Sequence, residues 1–118
     1  MARTVVFYKT AGGKCPVEEF LDSLPGDVVR KITWVLGLVE EMVLVPSTYF
    51  RKLSSSEEIW ECRVAVGTNC YRLLCFFAGS SLVVLTNGFI KKTRKTPRQE
   101  IEKAERFRRD FLARRRKK

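Results

Sequence analysis

Histidine is absent from this chain, and with it the reactions that depend on an imidazole. Ser-His and Cys-His nucleophile pairs are excluded, so any proton transfer falls to Lys, Arg, Tyr, Glu, Asp or Cys. Cysteine is sparse: Cys15, Cys62, Cys70 and Cys75 show no CxxC spacing. Without histidine they indicate neither a zinc site nor a disulfide framework. Three of the four lie in strand-like apolar runs and read as small buried hydrophobes. Long apolar runs are missing too, with nothing near the roughly 20 residues that span a bilayer. The N-terminal Met-Ala-Arg-Thr-Val-Val-Phe-Tyr opens as a strand and lacks the shape of a signal peptide. The expectation is a cytoplasmic protein with no membrane partner, no metal and no cofactor.

Positive charge is abundant and unevenly spread. The formal net charge is +10, and residues 91–118 hold fourteen Lys and Arg against four acids, while residues 1–90 hold nine of each and cancel. The basic block follows directly on Leu82-Val83-Val84-Leu85, through Phe89-Ile90-Lys91-Lys92-Thr93-Arg94-Lys95. Cations joined to the end of a strand are fixed to a folded platform, which suits them to hold a polyanion in a chosen place. Arg114 to Lys118 read instead as a solvated tail.

With 118 residues and 45% apolar content, the chain is long enough for one packed domain. The expected division is a domain over 1–113 and a basic tail over 114–118. Residues 3–9 are β-branched and aromatic and predict a first strand, ended by Gly12-Gly13. Pro16 suits a first helical turn, and Val17, Phe20, Leu21 and Leu24 follow as one apolar stripe. Pro25-Gly26 breaks that run; Asp27 is placed to cap a second helix through Val28, Ile32, Val35, Val39 and Met42. The stretch 46–58 reads as a polar loop. Strands are predicted over 59–66, 70–77 and 82–90, separated by short Gly-containing gaps and forming an antiparallel meander. Thr96-Pro97-Arg98-Gln99 has a capping-box pattern opening a last helix, with Glu102–Arg106 and Glu105–Arg109 as i,i+4 pairs. The predicted order is βααβββα, an α+β two-layer domain: a four-stranded, mainly antiparallel sheet on a helical hairpin, plus a basic C-terminal helix.

Strand parity decides which cations can share a site. Trp60, Cys62, Val64 and Val66 form the more apolar face of their strand, leaving Glu61 and Arg63 on the other. A two-residue turn at Thr68-Asn69, or a four-residue loop at 66–69, puts Arg63 and Arg72 on one face; a three-residue loop puts them on opposite faces. On the co-facial reading, Arg63, Arg72, Lys52 and one or both of Lys91 and Lys92 line a concave cationic pocket, with Tyr71 packed on the core side. Arginine suits phosphate because its planar fork makes two parallel hydrogen bonds. The plainer alternative is that Arg63 and Arg72 pair with Glu61 or Glu58 on an exposed face, where such pairs contribute little.

The segments Trp60-Glu61-Cys62-Arg63-Val64, Asn69-Cys70-Tyr71-Arg72-Leu73-Leu74 and Gly88-Phe89-Ile90-Lys91-Lys92-Thr93-Arg94-Lys95-Thr96-Pro97 resemble RelE-superfamily toxins of type II toxin–antitoxin systems, specifically the phage-associated HigB-like branch. Pro16-Val17-Glu18-Glu19-Phe20-Leu21 and Arg51-Lys52-Leu53 fit the same pattern, with Cys15 standing where a capping Ser is usual. The resemblance implies a RelE-like fold and a ribosome-dependent endoribonuclease that cleaves mRNA without a cofactor. It implies three partners: the ribosome, mRNA and a neutralising antitoxin carrying a helix-turn-helix domain. By the same likeness Lys52, Arg72 and Lys91 or Lys92 hold and activate the scissile phosphate, with Arg63 assisting. Arg51, Arg94 and Lys95 are the expected RNA-binding cations. ParE-like members resemble this fold but poison DNA gyrase, and a non-catalytic nucleic-acid or ribosome binder is a further alternative.

Overall fold

The apolar runs after residue 59 form the middle of the molecule. The computed structural model describes residues 2–56 and 58–116. Among them the order is β1 (Thr4–Phe7), α1 (Pro16–Asp22), α2 (Gly26–Glu41), β2 (Phe50–Lys52), β3 (Trp60–Val66), β4 (Asn69–Ala78), β5 (Leu82–Lys91) and α3 (Arg98–Arg116). The strands make one mixed sheet in the order β1-β5-β4-β3-β2. Strand β4 lies at its centre and is buried almost throughout, as its near-continuous apolar run requires.

Two expectations about the sheet are corrected. It has five strands rather than four, because Phe50–Lys52 inside the expected polar loop pairs antiparallel with β3. The first strand does not join the antiparallel set: β1 runs parallel to β5, with Thr4 opposite Leu82 and Phe7 opposite Leu85. The class remains α+β, with βααββββα in place of βααβββα.

The expected two layers are three. On one face Val17 of α1 and Val28, Ile32, Val35 and Val39 of α2 pack against Cys62, Val64, Leu73, Cys75, Val83 and Leu85. On the other face Ile101 and Ala104 of α3 pack against Leu74, Phe76 and Val84. Packing on the first face is close enough to demand glycine at position 88, where a Cβ would sit 2.4 Å from the Phe20 ring. Arg3 closes the end of α2, donating from Nη1 to the Val39 carbonyl at 2.9 Å and from Nη2 to that of Val43 at 2.7 Å.

Helix starts also differ from expectation. Pro25 rather than Asp27 precedes the first residue of α2. Thr96 does not cap α3; its hydroxyl donates to Glu61 Oε2 at 3.3 Å. On α3 the carboxylates of Glu102 and Glu105 turn to Arg98 and to the Ser56 hydroxyl rather than to Arg106 and Arg109. Residues 114–116 continue α3 rather than starting a free tail, and Lys117 and Lys118 lie outside the described residues. Arg114 lies over the Tyr8 ring at 5.4 Å, pairs with Asp110 at 2.8 Å and donates to the Lys9 carbonyl.

Two local devices set the faces of the later strands. The β3–β4 turn is the two-residue Gly67-Thr68, since Val66 pairs with Asn69. Gly67 takes φ 60°, a conformation that glycine adopts without a steric penalty. In β5 the register passes from Leu85 opposite Cys75 to Asn87 opposite Leu74, leaving Thr86 as an extra residue. This bulge reverses the alternation, so Val83 and Leu85 face the helical hairpin whereas Phe89 faces α3. Asn87, turned to the same side, donates from Nδ2 to Glu100 Oε1 at 3.0 Å and tethers the start of α3.

Candidate functional site

Helix α3 covers only part of its face of the sheet, and charge fills the rest. The even-length turn puts Arg63 directly opposite Arg72 across β3 and β4. Like charges in that relation repel. Glu61, two residues before Arg63 and therefore on the same face, lies among them with 1% of its surface exposed. It is 3.5 Å from Arg63, 3.6 Å from Arg72 and 3.7 Å from Arg51, its register partner on β2. Arg72 is itself buried, at 5% exposure, and Arg63 is half-buried. Both earlier readings of the arginine pair are thus combined: the two are co-facial and they pair with Glu61, but in a buried cluster rather than on an exposed surface.

The bulge at Thr86 selects the lysine. Simple alternation from Val84 would bring Lys92 to this face. The extra residue substitutes Lys91, which lies opposite Cys70, two residues along β4 from Arg72. Burial first, and then Arg72 with Arg63 and Arg51, push the Lys91 ammonium below its usual 10.5; Glu61 opposes the shift. Arg63 is lowered likewise, by burial and then by Arg72 and Arg51. A lysine in such surroundings reaches its neutral form more readily than an exposed one.

Two members of the cluster, Arg51 and Lys91, also line a groove of about 630 Å³ between the 53–55 loop and the start of α3. Arg51, Lys91, Arg94, Lys95 and Arg98 contribute cations to its walls, and Leu53 and Ile101 give it an apolar component. The structure therefore gathers Arg51, Arg63, Arg72 and Lys91 around Glu61, with Arg94 and Lys95 along the same groove. Lys52 is placed elsewhere: its partner is Trp60, whose ring packs on Phe50 and Phe77 at the opposite face of the sheet. Lys92 is exposed one residue beyond β5. The site residue that sequence reasoning treated only as a surface ion-pair partner is Glu61. An acid at the parity of two arginines within an otherwise apolar strand was the available signal.

Among the described residues no helix is long and apolar enough to cross a membrane. Cys15, Cys62 and Cys75 are buried free thiols and Cys70 is half-buried; Cys15 stands before α1 and makes no side-chain capping bond.

The fold is thus an α+β domain that carries a carboxylate-centred arginine cluster on one face of its sheet. Residues 19–109 match the family described as phage-derived Gp49-like protein (DUF891), which covers most of the chain. The chain belongs to that family. No curated protein matches it.

Proposed function

We propose that this Gp49-like protein is the toxin of a type II toxin–antitoxin pair, of the RelE superfamily and its HigB-like branch, and that it cleaves mRNA on the ribosome without a metal. The observation that carries this reading is Lys91, its ammonium weakened, beside three guanidiniums held by one buried carboxylate and open to a cation-walled groove. Family membership supports the toxin assignment.

In the proposed reaction the ribose 2′-hydroxyl gives its proton to neutral Lys91, and its oxygen forms a bond to phosphorus. The phosphorus–O5′ bond breaks, and the proton held by Lys91 is passed to the departing 5′-oxygen. The products are a 2′,3′-cyclic phosphate and a 5′-hydroxyl. Arg63, Arg72 and Arg51 stabilise the extra negative charge on the phosphorane oxygens, preorganised donors being most effective where charge develops. Arg94 and Lys95 hold the flanking backbone. The antitoxin that restrains the protein is expected to carry a helix-turn-helix domain, and the working compartment is the cytoplasm.

The test is induced expression followed by mapping of RNA 5′ ends, with and without translation. Cuts phased to codons and dependent on translation are expected. Growth arrest with no new ends would contradict cleavage. A second reading, a non-catalytic RNA or ribosome binder, is favoured by the exposed Arg106, Arg109, Arg115 and Arg116 on α3. It predicts steeply salt-dependent binding with no products. Inhibition of DNA gyrase, the third possibility, predicts loss of supercoiling by the purified protein.

A further inference from the structure

Glu61 meets each of the three arginines at its Nε, Arg51 and Arg63 through Oε1 and Arg72 through Oε2. Arg51 at 3.7 Å, Arg63 at 3.5 Å and Arg72 at 3.6 Å each present Nε to its carboxylate. The Nε atoms of Arg63 and Arg72 are buried and make no hydrogen bond among the described residues, so the ion pair with Glu61 is their compensation. Nε is the inner edge of a guanidinium, and the two Nη groups form its outer fork. Arg63 Nη1 reaches the Ser47 carbonyl and Arg72 Nη1 that of Tyr71, both at 3.4 Å. No hydrogen bond from the Nη2 group of any of the three arginines is formed among the described residues.

We infer that Glu61 is a positioning residue: one buried carboxylate holds Arg51, Arg63 and Arg72 by their inner edges and thereby aims their outer N–H groups, with Lys91, at a single oxyanion. The inference rests on reading the cluster as a phosphate site, and it adds what sets the cluster's geometry. Arg63 and Arg72 stand opposite each other, and without an anion between them repulsion drives their heads apart. Thr96 donates its hydroxyl to the same carboxylate at 3.3 Å, so the Lys92–Pro97 segment is referred to the same point. Glu61 is too buried to meet substrate and acts only through the arginines.

Positioning and mere charge compensation predict opposite signs. If Glu61 only neutralises the cluster, Glu61→Gln makes the site more positive and strengthens anion binding. If it positions the arginines, the same variant binds anions more weakly despite the added positive charge. The probe is inorganic phosphate, titrated into the full-length protein and followed by calorimetry. The expected result is binding weaker by about tenfold, the loss associated with one well-placed charge-assisted hydrogen bond. Glu61→Asp, which keeps the charge but shortens its reach, is expected to weaken binding in the same direction. Equal or tighter binding by folded Glu61→Gln overturns the inference. Failure of the wild-type protein to bind phosphate overturns the phosphate-site reading beneath it.

The wild-type protein also provides a test that survives any folding defect in the variants. In side-chain NMR spectra the Nε–H signals of Arg63 and Arg72 are expected to stay nearly fixed as phosphate is added, while their Nη signals move. Large Nε shifts would show that the carboxylate releases the arginines and would overturn the inference.

Discussion

The two faces of the same sheet are built on different principles. Toward the helical hairpin, β3 and β4 present Cys62, Val64, Leu73 and Cys75, all buried and apolar. One residue along, the same strands turn Glu61, Arg63 and Arg72 to the other side. The first face holds the fold together by burial and close packing. The second concentrates like charges at low exposure, which weakens the folded state unless each charge is compensated. A small domain can carry that second face because the first is packed well enough to support it. The tilt of the balance is visible in Lys91 and Arg63, both pushed toward their neutral forms.

The contrast is tested most severely at Glu61. Replacing it with Ala leaves buried Arg72 uncompensated, and removing one partner from a buried pair is expected to cost about 3–5 kcal/mol. Chemical denaturation measures the loss; a cost near zero would mean the cluster is solvated and not part of the packed structure. On the opposite face, Gly88→Ala forces a methyl group against the Phe20 ring. Overpacking of this kind is expected to cost about 1–3 kcal/mol, read from the same experiment.

The smallest effect has the opposite sign. Lys91→Met is expected to raise the thermal midpoint modestly at neutral pH while abolishing RNA cleavage. A lysine whose folded pKa lies below its unfolded value destabilises the fold while protonated. That penalty is fully present below the folded pKa and disappears as pH rises past the usual 10.5. The advantage of Lys91→Met should therefore shrink at high pH. The groups facing Lys91 are Arg72, Glu61, Arg63 and Arg51, with Arg94, Lys95, Arg98, Glu102 and Glu105 along the same groove; both glutamates titrate far below the range in which the lysine does, and the chain has no histidine. A variant less stable than wild type at neutral pH would show that Lys91 serves packing rather than chemistry.

Much of the fold was legible because it follows from periodicity. The α1 and α2 stripes, the three long strands and the co-facial Arg63 and Arg72 all come from spacing and from an even-length turn. Phe50–Lys52 was hidden because three residues carry almost no periodic signal, and its pairing depends on β3 being present. Parity along one strand could not choose between Lys91 and Lys92, since the answer lies in one extra residue at Thr86. Lys52 and Arg51 were open to the same confusion: register against β3, not composition, turns Arg51 toward Glu61. The third layer was missed because an apolar stripe on α3 states that a helix packs, without stating on which face.

In the proposed reaction this cluster grips one RNA linkage while the neighbouring 2′-hydroxyl attacks it. The direct measurement is incubation of the purified protein with ribosomes translating a message whose mapped cut site carries a single 2′-deoxyribose. This linkage is expected to stay intact while its all-ribose counterpart yields a 2′,3′-cyclic phosphate and a 5′-hydroxyl. Cleavage of the deoxy linkage at an undiminished rate would contradict that reaction.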